Sequence, residues 1–169
     1  MASSASAGGG TAGPPTSRLE PPTSATTPRP TLFDAIVLFG LLHHVPGFQT
    51  RADLIASSAE WLAPGGILAL TLWRFGAPDM WSRFKNRVIP WREYNEGASQ
   101  PLDLSQLEAG DHLLRWGDGD GPARYCHFTD PYERDALLAT LQLEQVDRYC
   151  ADGRSNDLNE YVLLQRPGA

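Results

Sequence analysis

Two apolar runs interrupt a chain that otherwise mixes polar and apolar positions: Phe33-Asp34-Ala35-Ile36-Val37-Leu38-Phe39 and Ile67-Leu68-Ala69-Leu70-Thr71-Leu72-Trp73. Neither alternates, so each reads as a strand covered on both faces, as in the middle of a parallel sheet. Between them Leu54, Ile55, Ser58, Ala59 and Leu62 recur at helical spacing, and Thr50-Arg51-Ala52-Asp53 has the form of a capping box. This predicts a helix over 51–62. Ala63-Pro64-Gly65-Gly66 should stop it, because proline cannot continue the ladder and glycine permits positive φ. Strand, helix and strand with short connections form a βαβ unit, whose strands must run parallel. The class is therefore α/β.

Further along, Met80, Trp81, Phe84 and Val88 fall at helical spacing with Arg83, Lys85 and Arg87 between them. The pattern predicts an amphipathic helix over 78–88, either covering the sheet or closing over a substrate. Asp111-His112-Leu113-Leu114-Arg115-Trp116 reads as extended, followed by a glycine-rich turn over 117–121. Arg124-Tyr125-Cys126-His127-Phe128 is aromatic enough for a brief strand. Thr129-Asp130-Pro131-Tyr132-Glu133 supplies a cap, a first-turn proline and an early acid, and so starts a helix buried through Ala136, Leu137, Thr140 and Leu141. The segments 143–150 and 159–165 are predicted to pair as an antiparallel hairpin.

Composition divides the chain. Residues 1–31 are almost entirely Ala, Ser, Gly, Thr and Pro, with Leu19 the one large apolar residue besides Met1. Such a segment cannot bury enough surface to offset its ordering entropy, so a disordered low-complexity tail over 1–31 and a folded body over 32–169 are expected. Its serines and its Arg18 and Arg29 suit an organelle transit peptide, but six prolines forbid a continuous helix and arginine is sparse, which favours a linker. The tail holds two of the 14 basic residues and one of the 20 acidic ones, leaving the body with 12, 19 and a formal charge of −7. Global attraction to phosphate backbones or anionic membranes is excluded. No apolar run approaches the roughly 20 residues of a membrane span. Cys126 and Cys150 are too few for a disulfide framework and suit a reducing compartment, so both are read as structural thiols and the expected location is the cytoplasm. His43 and His44 are adjacent rather than at ligand spacing, and no Gly-x-Ser-x-Gly follows a strand, so neither a metal centre nor a serine hydrolase is indicated.

The order Phe33-Asp34-x-Ile36, Leu42-His43-His44-Val45, then Leu62-x-Pro64-Gly65-Gly66 into an apolar strand resembles class I S-adenosylmethionine-dependent methyltransferases. There these pieces form the fourth strand, its following loop, and the turn into the fifth strand, and the final hairpin corresponds to strands six and seven. Within that family, Trp73-Arg74-Phe75, Leu113-Leu114-Arg115-Trp116 and Arg124-Tyr125-Cys126-His127-Phe128 look like the wobble-uridine tRNA carboxymethyl methyltransferases. Those carry a Val-Pro-Trp-like segment and an Arg-Tyr-Tyr-His motif. Arg115 stands here for the proline and Cys126 for the second tyrosine.

The resemblance implies a partial Rossmann-like methyltransferase domain comprising strands four to seven, with strands one to three, the glycine loop and the ribose-binding acid missing. It implies S-adenosylmethionine as cofactor, and tRNA or a small-molecule methyl acceptor as partner. The loop at Gly40 and Leu41 would border the cofactor. His43, Trp73, Arg74, Arg124, Tyr125 and His127 are the candidate substrate-binding residues, since a ligand in an open α/β sheet binds beyond the carboxyl ends of the strands. Arg124, Tyr125 and His127 could together hold an anion by charge-assisted hydrogen bonds. Three readings stay open: a member of this enzyme lineage; a non-catalytic binding module that pairs with a protein partner or itself through an unpaired edge of strand 33–39; and a misassigned start, in which the low-complexity head stands in place of a cofactor-binding half.

Overall fold

A computed structural model of the chain describes residues 31–117 and 121–168. All but the last residue of the expected tail over 1–31, with its linker or targeting role, and part of the glycine-rich turn lie outside the described residues.

Strand β1 (Phe33–Leu38) runs parallel to β2 (Leu62–Trp73), with helix α1 (Phe48–Glu60) between them. The expected βαβ unit and α/β class are therefore present. Its boundaries differ from expectation. The capping box does not open α1: the helix begins at Phe48 after Gly47, whose φ of 83° suits glycine, so Arg51 sits a turn inside it. It also ends at Glu60, and Leu62 already pairs with Phe33. The Pro64-Gly65-Gly66 turn is absorbed as an irregularity in β2, tied to the end of the chain by Gly65 N–H to the Arg166 carbonyl at 2.9 Å.

The hairpin is formed by β6 (Glu144–Ala151) and β7 (Asn159–Gln165), giving a mixed sheet of order β1-β2-β7-β6 in which β7 is antiparallel to both neighbours. One face packs on α1 and on α4 (Pro131–Leu138) through Leu38, Ile55, Leu68, Leu70, Leu72, Leu137, Val162 and Leu164. Full burial of one such side chain stabilises by about 1.5–3 kcal/mol. The expectation that β1 is covered on both faces is not met by the described residues. Its outer edge is unpaired among them, and Val37 and Phe39 are 59% and 51% exposed. Phe39 meets Tyr161 edge-on, and Tyr161 stacks on Tyr149.

A second, antiparallel sheet is inserted in sequence between β2 and β6. It comprises β3 (Val88–Ile89), β4 (Asp111–Arg115) and β5 (Ala123–His127), in that order. The amphipathic helix expected over 78–88 is broken. Trp81–Phe84 forms a single turn, α2, Lys85–Arg87 tightens to a 3-10 turn, and Val88 and Ile89 leave it to pair with Leu114 and Leu113. Tertiary pairing has overridden helical periodicity, but Met80 and Phe84 still bury on Phe75, Leu114 and Cys126 in a second core. Helix α3 (Trp91–Gly97) has no counterpart in the expected elements; the Trp91 indole N–H reaches the Asp111 carbonyl at 3.2 Å. Cys126 is buried, with burial pushing its thiol up to about 11, whereas Cys150 is exposed.

Candidate functional site

Past the carboxyl ends of β1 and β2 the chain leaves a cavity of about 420 Å³ bordered by Gly40, His43, Trp73, Arg83, Arg87 and Arg124, among others. Gly40, at φ 64°, turns the chain out of β1, and its amide donates to the Thr71 hydroxyl at 2.9 Å. That bond fixes the loop to β2 and places His43 over Trp73, ring centroids 5.2 Å apart. Trp73 is held from behind by Phe75 and Phe84. Arg124 arrives from β5 with its guanidinium 5.1 Å from the Trp73 ring and 4.1 Å from that of Trp116.

Two polar atoms here are buried without a hydrogen-bond partner, Nδ1 of His43 and Nε of Arg124. An orphaned buried group costs about 1–3 kcal/mol, so their coincidence at one cavity is informative. Burial first, then the charges of His44 and Arg124, lower the His43 pKa to about 4, so its imidazole is neutral at physiological pH. Among the described residues no carboxylate borders the cavity, although Arg83 on its rim pairs with Asp157 at 3.1 Å. Three arginines border it, a lining that suits an anion.

The candidate residues divide between two places because a strand alternates its faces. Arg124 and Cys126 point toward the cavity and its supporting core, while Tyr125 and His127 point the other way, toward α1 and α4. There His127 bonds Asp111 Oδ1 through Nδ1 and Glu133 Oε2 through Nε2, both at 2.7 Å. The Tyr125 hydroxyl donates to the same Asp111 oxygen at 2.6 Å. Arg51, with no exposed side-chain surface, bridges Glu108 and Glu133 at 2.6 and 2.5 Å. Burial pulls the His127 pKa down, but the hydrogen bonds to Glu133 and Asp111 outweigh it and raise the pKa. Burial likewise works against the Asp111 carboxylate, and the bonds from Tyr125 and His127 prevail to lower its pKa. Ligand atoms of Glu108, His127 and Glu133 lie within 4.8 Å of one another, a grouping that sequence spacing did not indicate. The Arg51 guanidinium already supplies the cation between the two glutamates.

Arg74 stands apart from both places, paired with Asp79 at 2.8 Å and donating to the Asp157 carbonyl. Leu41 is 40% exposed and does not border the cavity, and Gly40 does. Arg51, Glu108, Asp111 and Glu133 were not among the candidates. Arg51 was detectable: it lies three and four residues before Leu54 and Ile55, so a cation falls on the buried stripe of the helix. Glu133 was anticipated only as a first-turn acid. The fold uses its backbone N–H for the Asp130 cap and its carboxylate for Arg51 and His127.

S-adenosylmethionine is the cofactor that the family resemblance implies. A ribose needs a carboxylate to accept from its hydroxyls, and the cavity offers none. The described residues do not by themselves fit the cofactor.

No protein-family model matches the chain. A probable tRNA methyltransferase 9B of Mus musculus is 29% identical over 96 residues, 56% of this chain and 21% of that protein. The Bos taurus protein of the same name is 31% identical over 61 residues, 36% of this chain and 14% of its own length. The chain thus spans about a fifth or less of these relatives. Among solved structures, a SAM-dependent methyltransferase of Methanosarcina mazei superposes with a TM-score of 0.55 at 18% identity, covering 82% of this chain and 61% of that one. Sheet order, loop position and these likenesses agree: the chain has the fold of the class I S-adenosylmethionine-dependent methyltransferases and is related in sequence to tRNA methyltransferases.

Proposed function

We propose that the cavity of His43, Trp73 and Arg124 is the acceptor side of a methyl-transfer cleft, and that its acceptor is a carboxylate on a modified tRNA uridine. The observation that carries this is the pair of orphaned atoms, His43 Nδ1 and Arg124 Nε, beside a cavity that three arginines border. A carboxylate attacking a sulfonium methyl group needs no general base, only alignment. A neutral His43 suits that requirement, because it offers a hydrogen bond without competing for a proton. Arg124 supplies the charge that holds the carboxylate, and Trp73 the apolar wall behind the ring. Bound S-adenosylmethionine would supply the methyl group, held mainly by groups other than the described residues. In this reading the described residues correspond to the second half of a methyltransferase domain, strands four to seven of its sheet. The names of the sequence relatives support tRNA as the carrier.

Calorimetric titration with 5-carboxymethyluridine and with uridine tests the acceptor. The carboxylate compound should bind at least about tenfold tighter, the worth of one charge-assisted hydrogen bond. Equal affinities would remove it. A parallel titration with S-adenosylhomocysteine at millimolar concentration decides whether this chain binds the cofactor product alone.

A second reading is favoured by β1. Its unpaired edge, the exposed Val37 and Phe39, and an adjoining apolar cavity of about 670 Å³ at Phe33, Ile36, Leu54 and Trp61 suit a binding module completed by a partner chain. Sedimentation as a monomer across a wide concentration range, with no partner added, would count against self-association through that edge.

A further inference from the structure

Trp116 follows β4 and is one of the most exposed large apolar residues, at 59%. Its backbone N–H still bonds the Pro122 carbonyl at 3.1 Å, so it extends the β4–β5 ladder by one step. It shares a face with Leu114 and Arg124. The Arg124 guanidinium lies over the Trp116 ring at 4.1 Å and near the Trp73 ring at 5.1 Å. The result is a ladder of indole, guanidinium and indole, with one end in the cavity and the other at the surface.

An exposed tryptophan held only by water would sample several rotamers. Here a cation on one ring face holds it, and more than half of its surface is exposed. Such a platform accepts the flat face of a nucleobase, because every base has one and stacking demands no particular hydrogen bonds. The surrounding electrostatics agree, since Arg83 and Arg87 border the same cavity and Lys85 between them is exposed, in a body of net negative charge.

We infer that Trp116 is a stacking subsite for the nucleotide adjoining the one whose base enters the cavity, so that the protein engages single-stranded RNA of at least two nucleotides. This rests on the acceptor reading above for its register, but not for its chemistry. Stacking on Trp116 would also hold Arg124 against Trp73, so occupying one end of the ladder would order the cation at the other.

The test uses the full chain, three probes and two variants. The probes are 5-carboxymethyluridine, a five-nucleotide RNA centred on it, and the same RNA with plain uridine, titrated calorimetrically. Base stacking on an aromatic is worth about 1–3 kcal/mol, so Trp116→Ala should weaken both RNAs by about 5- to 150-fold. The nucleoside should lose less affinity than either RNA, and Trp116→Phe, which keeps a ring against Arg124, should retain most of the RNA affinity. If the nucleoside fails to bind while both RNAs bind and are weakened by Trp116→Ala, the acceptor reading falls and the platform stands. If Trp116→Ala binds both RNAs as the unaltered chain does, or if the unaltered chain binds neither RNA, the platform is overturned. Circular dichroism of each variant excludes loss of fold as the cause, which exposure of the side chain makes an unexpected outcome.

Discussion

Strand β5 serves two regions of opposite character. On one side, Tyr125 and His127 join a closed set of charges in which Arg51, Glu108, Asp111 and Glu133 each have a partner within 3 Å. On the other, Arg124 joins His43 and Trp73 around a cavity where two buried polar atoms have none. The first region spends its electrostatics on itself and holds α1, α4 and the second sheet together. The second leaves His43 Nδ1 and Arg124 Nε without a partner among the described residues, which suits a binding surface. Polar residues that look alike in sequence thus separate into a structural set and a ligand-facing set by whether their hydrogen bonds close.

The sharpest way to break this contrast is Arg51→Met. Removing the buried cation leaves Glu108 and Glu133 facing each other, and urea unfolding should show a loss of about 3–5 kcal/mol. A loss under 1 kcal/mol would mean that the network is not structural. Arg124→Met should do the reverse. Affinity for 5-carboxymethyluridine should fall by about 10- to 100-fold with unfolding free energy changed by less than about 1 kcal/mol, both read on the same preparation.

Titration separates the regions on the pH axis. The His127 pKa is raised in the fold, so the stability it contributes is complete below its unfolded value near 6.5 and is lost as pH rises through the folded value. The His43 pKa is lowered to about 4, so the unfolded chain takes up a proton that the fold does not. Stability should therefore fall as pH drops from about 6.5 toward 4. Each proton contributes at most about 1.4 kcal/mol per pH unit. His127→Gln should flatten the alkaline limb of a stability profile, and His43→Gln should flatten the contribution of that group to the acid limb. Neither variant should flatten both. The smallest effect belongs to Asp130→Ala, which removes the cap over Glu133 N–H and should cost about 1 kcal/mol without altering ligand affinity.

The central βαβ unit and the hairpin were legible because unalternating apolar runs and helical stripes are local signals, and the α4 start was legible because Asp130, Pro131 and Glu133 act within one turn. His43, Trp73 and Arg124 were legible as candidates because each follows or adjoins a strand end. Their division from Tyr125 and His127 was not, although the period of two within Arg124-Tyr125-Cys126-His127 contained it. Glu108 and Asp111 were invisible for a different reason. They lie 57 and 60 positions beyond Arg51 in a loop-rich stretch, and only the β4–β5 pairing brings them against α1. The 3-10 turn and β3 were missed because pairing with Leu113 and Leu114 outweighs the helical spacing of Met80, Trp81, Phe84 and Val88.

The alternation of β5 has a hereditary consequence. Four consecutive residues answer to two sets of neighbours, so homologous chains should drift at these positions in step with different partners. Changes at 125 and 127 should be accompanied by changes at 51, 111 and 133, which close their bonds. A change at 124 should track 43, 73 and 116, and so vary with what each lineage binds.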